Sequence, residues 1–402
     1  MSLQTRHAGS APRQLFFQTA EQRTALARQM FFEEGARPTG LVGEAVIQSW
    51  MRCASARSRT AQRLAFEPVS ASRLHSTLNR NRELLEAARR DLSGLEASLA
   101  GTDCRVLLTD PRGVIVHATH HPLASQQPLL KAASRIGVNI AESIVGTTAP
   151  GIVSKTGQAC TVTGAEHFFD CLRSFQCAAA PIRDVQGRLA AVLDLSVESR
   201  AFGFDAASMV GLYAVAIENR LLQAQSREHL VLRFQSSPAM LGTPLEALAG
   251  ITEDGRLAWL NGVGARLMDL REDAAPRDVE AVFGLGLAEL LQLTRCSAPR
   301  PVRLRSGLGV WLQARLQSGD GADFNHAVGL AGLQPQAPPA QEVPPPAGLA
   351  QTQAATLGDH SRKLIESTLA ACGGNLARAA RTLGVSRGTL YRRLRAPGAV
   401  SG

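Results

Sequence analysis

Two stretches of the chain place apolar side chains at a helical period. Within 72–100, leucine and alanine recur every three or four residues, and 206–234 repeats this pattern. Between these stretches, β-rich runs flank the turn sequences Asp110–Gly113 and Asp184–Gly187, as in antiparallel hairpins. The order helix, hairpin, mixed middle, hairpin, helix predicts an α+β domain with a central antiparallel sheet.

A weaker copy of this pattern follows the second helix. Residues 248–270 have the pattern of a strand, a turn at Asp254-Gly255, a second strand and a helix, and 300–317 supplies two more strands. These elements predict a second, smaller α+β domain over 236–332. The first 70 residues form a separate helical segment in this scheme, with Trp50 as its core anchor.

The region after the second domain changes in composition. Residues 333–356 are rich in Pro, Gln and Ala and lack a hydrophobic period, which predicts an extended, semi-rigid linker. The linker separates a short C-terminal module, 357–397, from the rest of the chain. The chain is therefore predicted to be multidomain.

The C-terminal module has the helix-ending signals of three short helices. Gly373-Gly374 ends the first helix, Asn375 caps the second, Gly384 ends it, and Ser386 caps the third after a short turn. This arrangement is an all-α helix-turn-helix, whose last helix enters the major groove of DNA.

The third helix concentrates positive charge. The chain has a net charge of +9, and four arginines lie between Ser386 and Arg395. Leu390 and Leu394 face inward, so the basic side is free to contact phosphates and base edges. A solvated basic helix end is the alternative interpretation. The predicted DNA contacts are Arg378, Ser386, Arg387, Gly388, Thr389, Tyr391, Arg392, Arg393 and Arg395.

Two parts of the chain resemble known regulators. The sequence "LIESTLAACGGNLARAARTLGVSRGTLYRRLR" closely resembles the Fis-type helix-turn-helix that ends bacterial enhancer-binding regulators. Such modules bind palindromic sites as dimers, so the resemblance implies a homodimer on a palindromic operator. "VIQSWMRC" and "GAEHFFDCLRSFQCAAAPIRDVQGRLAAVLDLS" resemble the N-terminal region of the acetoin-catabolism and dihydroxyacetone-operon regulators, over about 45–233.

The second resemblance implies a GAF-like sensor over 71–233, flanked by signalling helices; the domain over 236–332 resembles a PAS domain only loosely. The relatives usually carry "GTNAIG" or "GTNGIG" where this chain has Gly146–Gly151, so the ligand is not carried over. They also place an ATPase between sensor and DNA-binding module. The three lysines, Lys131, Lys155 and Lys363, follow no G-x-x-x-x-G-K-[ST] loop, so ATP-driven activation of sigma-N polymerase is not expected.

The first α+β domain is expected to bind a small organic ligand in a pocket covered by the segment 166–176. The predicted ligand contacts are Thr147, Glu166, His167 and Cys177. A metal site is not predicted, because the cysteine and histidine spacing matches no standard ligand pattern. Two alternatives stay open at Cys171 and Cys177, namely a thiol enzyme and a redox sensor.

Composition limits the remaining classes. The seven cysteines never form a C-x-x-C pair, and no apolar run approaches the length of a membrane span, so a cytoplasmic protein without a membrane partner is expected. No cofactor and no enzymatic activity are predicted. The favoured function is ligand-responsive transcription regulation, with contact to RNA polymerase left open; a passive antagonist of a full-length activator would use the same DNA contacts.

Overall fold

The computed structural model of the chain describes residues 19–56, 59–119, 127–269 and 278–316. The chain divides into two compact units, Met1–Leu333 and Gln334–Gly402, and the described residues all belong to the first. The predicted linker, the helix-turn-helix module and its predicted contacts, Arg378 and Ser386 to Arg395, lie outside the described residues.

The first sheet has five antiparallel strands in the order β2-β1-β5-β4-β3. The strands are β1 Arg105–Thr109, β2 Ile115–Ala118, β3 Cys160–Thr163, β4 Phe175–Arg183 and β5 Leu189–Glu198. The predicted hairpins are confirmed: the amide of Gly113 donates to the carbonyl of Asp110, and that of Gly187 donates to the carbonyl of Asp184, each at 2.9 Å. Strand β5 is therefore the centre of the sheet.

Helices cover both faces of this sheet. Those of the first domain are α1 Ala20–Arg28, continued by a π-helical turn Gln29–Glu33, α2 Glu44–Ser55, α3 Ala71–Arg80, α4 Arg82–Ser98, α5 Pro128–Ala133, α6 Glu142–Val145, α7 Ala149–Thr156 and α8 Ala206–Ala224. Helices α4 and α8 pack on one face in an apolar core. The shorter helices α5 to α7, with α1 and α2, pack on the other.

The predicted helices differ from the observed ones at two points. The predicted helix over 72–100 is interrupted at Asn81, which separates α3 from α4. The predicted helix over 206–234 is wrong beyond Ala224, because 230–235 form a strand of the second sheet. This segment is buried on both faces except at the half-buried Arg233, and pairing with two neighbouring strands satisfies its backbone hydrogen bonds. The second sheet thus starts before the predicted domain start at 236.

The second sheet also has five antiparallel strands, in the order β8-β7-β6-β10-β9. They are β6 Leu230–Gln235, β7 Ala247–Ile251, β8 Leu257–Leu260, β9 Arg300–Arg303 and β10 Gly309–Leu316, with helices α9 Gly262–Leu267, α10 Val279–Phe283 and α11 Leu287–Leu293. The predicted strand-turn-strand-helix and the last two strands are confirmed. Sequence analysis missed α10 and α11, which help to close the core of this sheet.

Helix α8 links the two sheets. The side-chain amide of Asn219 on α8 is 2.8 Å from that of Asn261, which caps α9 through the amide of Gly264. Leu222 of α8 packs with Trp259 in a small apolar cluster of its own. The helix that covers the first sheet therefore also contacts the second.

Candidate functional site

A small space lies between the first sheet and the short helices that cover it. This cavity has a volume of about 40 Å³. Its walls are largely apolar, and its polar side chains lie at one end. The lining residues are Phe66, Leu107, Leu130, Ala133, Ile140, Val145, Thr148, Pro150, His167, Leu172, Phe175, Cys177, Asp194 and Ser196.

The polar end of the cavity is a hydrogen-bonded series of four side chains, which we call the Asp194 cluster (Asp194, Ser196, Cys177 and His167). The hydroxyl of Ser196 donates to Oδ2 of Asp194 at 2.7 Å and lies 3.2 Å from Sγ of Cys177. That sulfur is 3.6 Å from Nε2 of His167. All four residues are buried, Asp194 and His167 completely. Among the described residues, Oδ1 of Asp194 has no hydrogen-bond partner.

Strand pairing brings these groups together. On β4 and β5, Cys177 faces Ser196 and Ala179 faces Asp194, while Leu107 of β1 lies on the other side of Asp194. Because side chains alternate along a strand, Asp194 and Ser196 point to the cavity face, whereas Leu193 and Leu195 join the core under α4 and α8. The cluster therefore sits on the middle strand of the sheet.

Burial favours the uncharged forms of the ionisable side chains in this cluster. It raises the pKa of Asp194 to about 7 and lowers that of His167 to about 4. Burial, with the nearby Asp194, also raises the pKa of the Cys177 thiol well above its ordinary value. The neutral His167 ring carries its proton on Nδ1, because Nδ1 is 3.0 Å from the carbonyl oxygen of Gly164, which can only accept. Nε2 is thus an acceptor for the thiol.

The structure brings two of the four predicted ligand contacts into the cavity and places two elsewhere. His167 and Cys177 line it, as do Leu172 and Phe175 from the predicted covering segment. Thr147 is fully buried but lies outside the lining, where its hydroxyl is 2.8 Å from that of Ser49 on α2. The neighbouring Thr148 lines the cavity instead and caps α7 through the amide of Gly151.

Thr147 belongs to a polar contact between α2 and the cavity-covering helices. Glu142 of α6 accepts from Ser49 at 2.6 Å and from two nitrogens of Arg52, Nε at 2.6 Å and Nη2 at 2.8 Å. This hydrogen bonding raises the pKa of Arg52. The ion pair between Arg52 and Glu142 fixes α6 beside the turn that leads into α7.

Glu166 also has a structural role. Its carboxylate accepts from the amide of Thr163 at 2.8 Å and from the hydroxyl of the same residue at 3.2 Å, closing a capping box. Its carbonyl oxygen accepts from the indole of Trp50 at 2.7 Å. Trp50 is fully buried against Phe31 and Phe32, as expected of a core anchor.

The cysteines of this region do not gather into one site. The segment that carries His167 and Cys171 is not one helix but forms two separate 3-10 turns, Gly164–Glu166 and Asp170–Leu172. Within 19–56, 59–119, 127–269 and 278–316, no group of three or more His, Cys, Asp or Glu side chains could hold a metal ion.

Sequence analysis missed Asp194 and Ser196. The available signal was the alternation in "VLDLSVE", where two polar residues occupy one face of a strand otherwise made for a core. Burying a carboxyl group is costly unless it is hydrogen-bonded or neutral, so an aspartate within an otherwise apolar strand indicates a candidate site.

Comparison with known proteins identifies both ends of the chain. Residues 19–212 match the profile "MimR, N-terminal domain", and 356–396 match "Bacterial regulatory protein, Fis family", a helix-turn-helix profile. The chain therefore combines a MimR N-terminal domain with a Fis-family helix-turn-helix domain. The resemblance of the C-terminal sequence to Fis-type modules is thus confirmed.

Curated relatives are named as operon regulators. The acetoin catabolism regulatory protein of Cupriavidus necator is 33% identical over 231 residues, which cover 56% of this chain and 34% of the relative. The PTS-dependent dihydroxyacetone kinase operon regulatory protein of Escherichia coli is 26% identical over 256 residues, or 62% of this chain and 37% of the relative. The chain thus matches little more than a third of the length of either relative.

A solved structure also aligns, the Escherichia coli DhaR(N)-DhaL complex, with a TM-score of 0.42 and 17% identity, over 68% of this chain and 99% of the other. In the part of the chain that the structure describes, no helix is long and apolar enough to cross a membrane.

Proposed function

We propose that this chain is a ligand-responsive transcription regulator that binds DNA through its C-terminal helix-turn-helix and acts without hydrolysing ATP. The observation that carries this proposal is the Fis-family match at 356–396 in a chain whose N-terminal domain encloses a cavity with a polar end. Regulation of operons by the relatives supports the same assignment. In this proposal the first domain is a GAF-like sensor and the second a PAS-like domain.

The signal from the cavity travels through α8. The carboxylate of Glu218 on this helix accepts from the amide of Arg183 at the end of β4, the strand that carries Cys177. One residue further along, Asn219 contacts Asn261, which caps α9 in the second domain. A ligand that fits one arrangement of β4 better than another shifts the equilibrium between two positions of α8, and the second domain moves with this helix. The free energy of the shift equals the difference between the ligand's binding free energies for the two arrangements.

The DNA target is a palindromic operator bound by a homodimer, as in other Fis-type modules. Steric exclusion of a full-length activator from the same site is the second candidate mode of action, because it needs the same DNA contacts and no ATPase. The sequence contains no G-x-x-x-x-G-K-[ST] loop, and neither mode of action requires one.

The thiol alternative has weaker support. The nucleophile in thiol chemistry is the thiolate, and Cys177 is 4% exposed with a pKa raised well above its ordinary value. His167 does not generate the thiolate, because burial lowers the pKa of His167 to about 4 and makes its ring a weak base.

The test is DNA binding by the purified full-length chain to a palindromic promoter fragment taken from a site occupied in the genome. We expect affinity to fall steeply with salt, because each neutralised phosphate releases counterions. The Arg387→Ala, Arg392→Ala double variant is expected to weaken binding by about 100-fold or more, given roughly 1–3 kcal/mol per base contact.

The matched control removes two exposed arginines of the second domain, as Arg300→Ala with Arg315→Ala, and should leave affinity within about threefold. Equal loss in the two double variants would indicate a nonspecific charge effect and contradict the assigned recognition helix. Absence of binding to any occupied fragment would remove the proposal itself.

A further inference from the structure

We propose that α4 and α8 form a surface on which a second copy of this chain packs, helix against helix. The surface consists of the exposed sides of 93–98 on α4 and 207–216 on α8, and we call it the α4/α8 surface. This inference rests on the proposed function, in which a homodimer binds the operator, and it names the part of the first domain that joins the two copies.

The first argument is the absence of charge along α8. Residues 206–217, about three turns of this helix, contain no Asp, Glu, Lys or Arg. One side of these turns packs on the first sheet through Val210, Ala214 and Ile217. On the opposite side, Leu212 is 45% exposed. A surface helix normally carries charged residues on its outer side, whereas a helix that is apolar all round is normally buried. The outer side of α8 therefore has the composition of an interface.

The neighbouring part of α4 is uncharged on its exposed side as well. The two helices run antiparallel, because Arg220 contacts Asp91 at 2.6 Å at one end and Tyr213 approaches Ser98 at 3.3 Å at the other. The exposed residues of this part of α4 are all small: Ser93, Gly94, Ala97 and Ser98. Depletion of charged residues is typical of the centre of a protein interface.

The charged residue within this stretch of α4 is directed to another contact. The carboxylate of Glu96 lies 2.8 Å from Nε2 of His117 on β2. Glu96 is therefore engaged with the first sheet, and the α4/α8 surface has small and apolar side chains across both helices.

The outer side of α8 continues an interface that the chain already has. Five residues follow at alternating intervals of four and three, as along the seam between packed helices: Ser208, Leu212, Val215, Asn219 and Leu222. The last two contact the second domain, through Asn261 and Trp259. The first three lie on the same side, one to three turns earlier, and extend this seam into the exposed part of the helix.

Gly211 supplies an independent argument. Glycine inside a helix is less stable than alanine, because it loses more conformational freedom on folding. A Cβ added at this position would meet nothing within 4 Å, and its φ is not positive. Neither packing nor backbone conformation within the single chain therefore requires glycine here. A missing Cβ allows the backbone of another helix to approach closely.

The chemistry of the surface fits a second copy of the same chain. In a two-fold contact the same patch is used by both copies, so a patch of one charge would bring like charges together. An uncharged surface avoids this repulsion. Small residues on α4 and at Gly211 then let two pairs of helices pack at short distance.

The size of the surface sets the expected affinity. Ten residues of α8 span about 15 Å, and two adjacent helices are about 20 Å wide, so the surface covers roughly 300 Å² on each copy. A standard stable interface buries roughly 800 Å² per partner. We therefore expect a weak dimer of the free protein, with a dissociation constant of about 1–100 μM, that DNA with two half-sites strengthens.

Sedimentation equilibrium of the purified full-length chain without DNA tests the proposal, over about 1–300 μM protein. Leu212→Glu places a charge within the surface and should raise the dissociation constant at least about 30-fold. Leu245→Glu is the matched control, because Leu245 is 51% exposed but lies in the second domain, and it should leave the constant within about twofold. A wild-type chain that stays monomeric over this range would overturn the proposal, as would equal dissociation constants for the two glutamate variants.

A second variant tests the close approach of the helices without adding charge. Gly211→Ala should weaken the dimer at least about tenfold. Well below the dissociation constant, the same substitution should raise the thermal midpoint by about 2–4 °C, because alanine favours the helix. Gly309→Ala, where an added Cβ also meets nothing within 4 Å, should leave dimerisation unchanged. A Gly211→Ala chain that is more stable as a monomer and dimerises like wild type would refute the assigned surface.

Binding to the palindromic fragment, measured on the same samples, separates this inference from the proposed function. If wild type binds the fragment and Leu212→Glu dimerises normally, the surface is refuted and the regulator stands. If Leu212→Glu abolishes a dimer of a chain that binds no occupied fragment, the regulator is refuted and the surface stands.

Discussion

The Asp194→Asn substitution tests whether the carboxyl group in the first sheet is neutral in the folded protein. Asparagine has the same size and still accepts from Ser196, but it does not titrate. The pKa of Asp194 rises from 3.8 to about 7 because the group is completely buried. The free energy of unfolding of the wild-type protein therefore contains a contribution at low pH that the variant lacks.

The sign follows from proton counting. Between pH 3.8 and about 7 the folded chain holds a proton that the unfolded chain has released. The contribution is thus fully present below pH 3.8 and is lost as pH rises through about 7. A shift of about three pKa units corresponds to about 4 kcal/mol in total, of which about 3 kcal/mol falls between pH 5 and 8. His167, with its pKa lowered to about 4, acts in the opposite direction, but in both proteins equally.

Hydrogen exchange measured by mass spectrometry on peptides of β5 gives the opening free energy of this strand, after correction for the intrinsic exchange rate at each pH. We expect wild type to lose about 3 kcal/mol relative to Asp194→Asn from pH 5 to 8. Thr109→Val, at a completely buried residue of β1 that does not titrate, is the control and should show no pH-dependent difference from wild type. A wild-type minus Asp194→Asn difference that stays constant across this range would show that Asp194 is already ionised in the fold, and the reasoning would fail.

Three further substitutions or reactions probe the surrounding packing. Glu142→Ala leaves Arg52 without its partner and should destabilise the first domain by about 2 kcal/mol in urea unfolding, less than a fully buried pair because Arg52 stays partly solvated. Gly250→Ala should cost about 3 kcal/mol or displace the Trp259 ring, because an added Cβ would lie 2.0 Å from its Nε1, and tryptophan fluorescence reports this. Cys177 should react with N-ethylmaleimide at least about 100-fold more slowly in the folded than in the unfolded chain.

Each of these outcomes has a control. Glu44→Ala removes an exposed carboxylate from α2 and should change stability by less than about 0.5 kcal/mol; a similar loss in both glutamate variants would contradict the role of Glu142. Gly309→Ala adds a Cβ to another strand where nothing lies within 4 Å, so equal destabilisation would discount the ring contact. The less buried Cys296 should react with N-ethylmaleimide in the folded state. Equally rapid labelling of Cys177 in the same experiment would support the thiol alternative.

The amino-acid sequence by itself determined the hairpins, the two α+β patterns and the Fis-type C-terminal sequence. These features depend on local signals: glycine and aspartate at tight turns, alternating side chains along strands, and a helix-capping series of fixed spacing. The sequence also selected His167 and Cys177, whose residue types suggested polar contacts.

Only the tertiary structure decided what each of these residues contacts. Residues 230–235 could continue a helical pattern, but the strands paired on both sides make them the centre of a second sheet. Thr147 and Glu166 were plausible pocket residues, yet Ser49 of α2 and the capping box at Thr163 occupy their polar atoms. Asp194 shows the converse: it lies between β4, its hairpin partner, and β1, which is distant in sequence, and among the described residues its Oδ1 has no hydrogen-bond partner. Burial and partner choice are properties of the assembled sheet, so no local pattern could supply them.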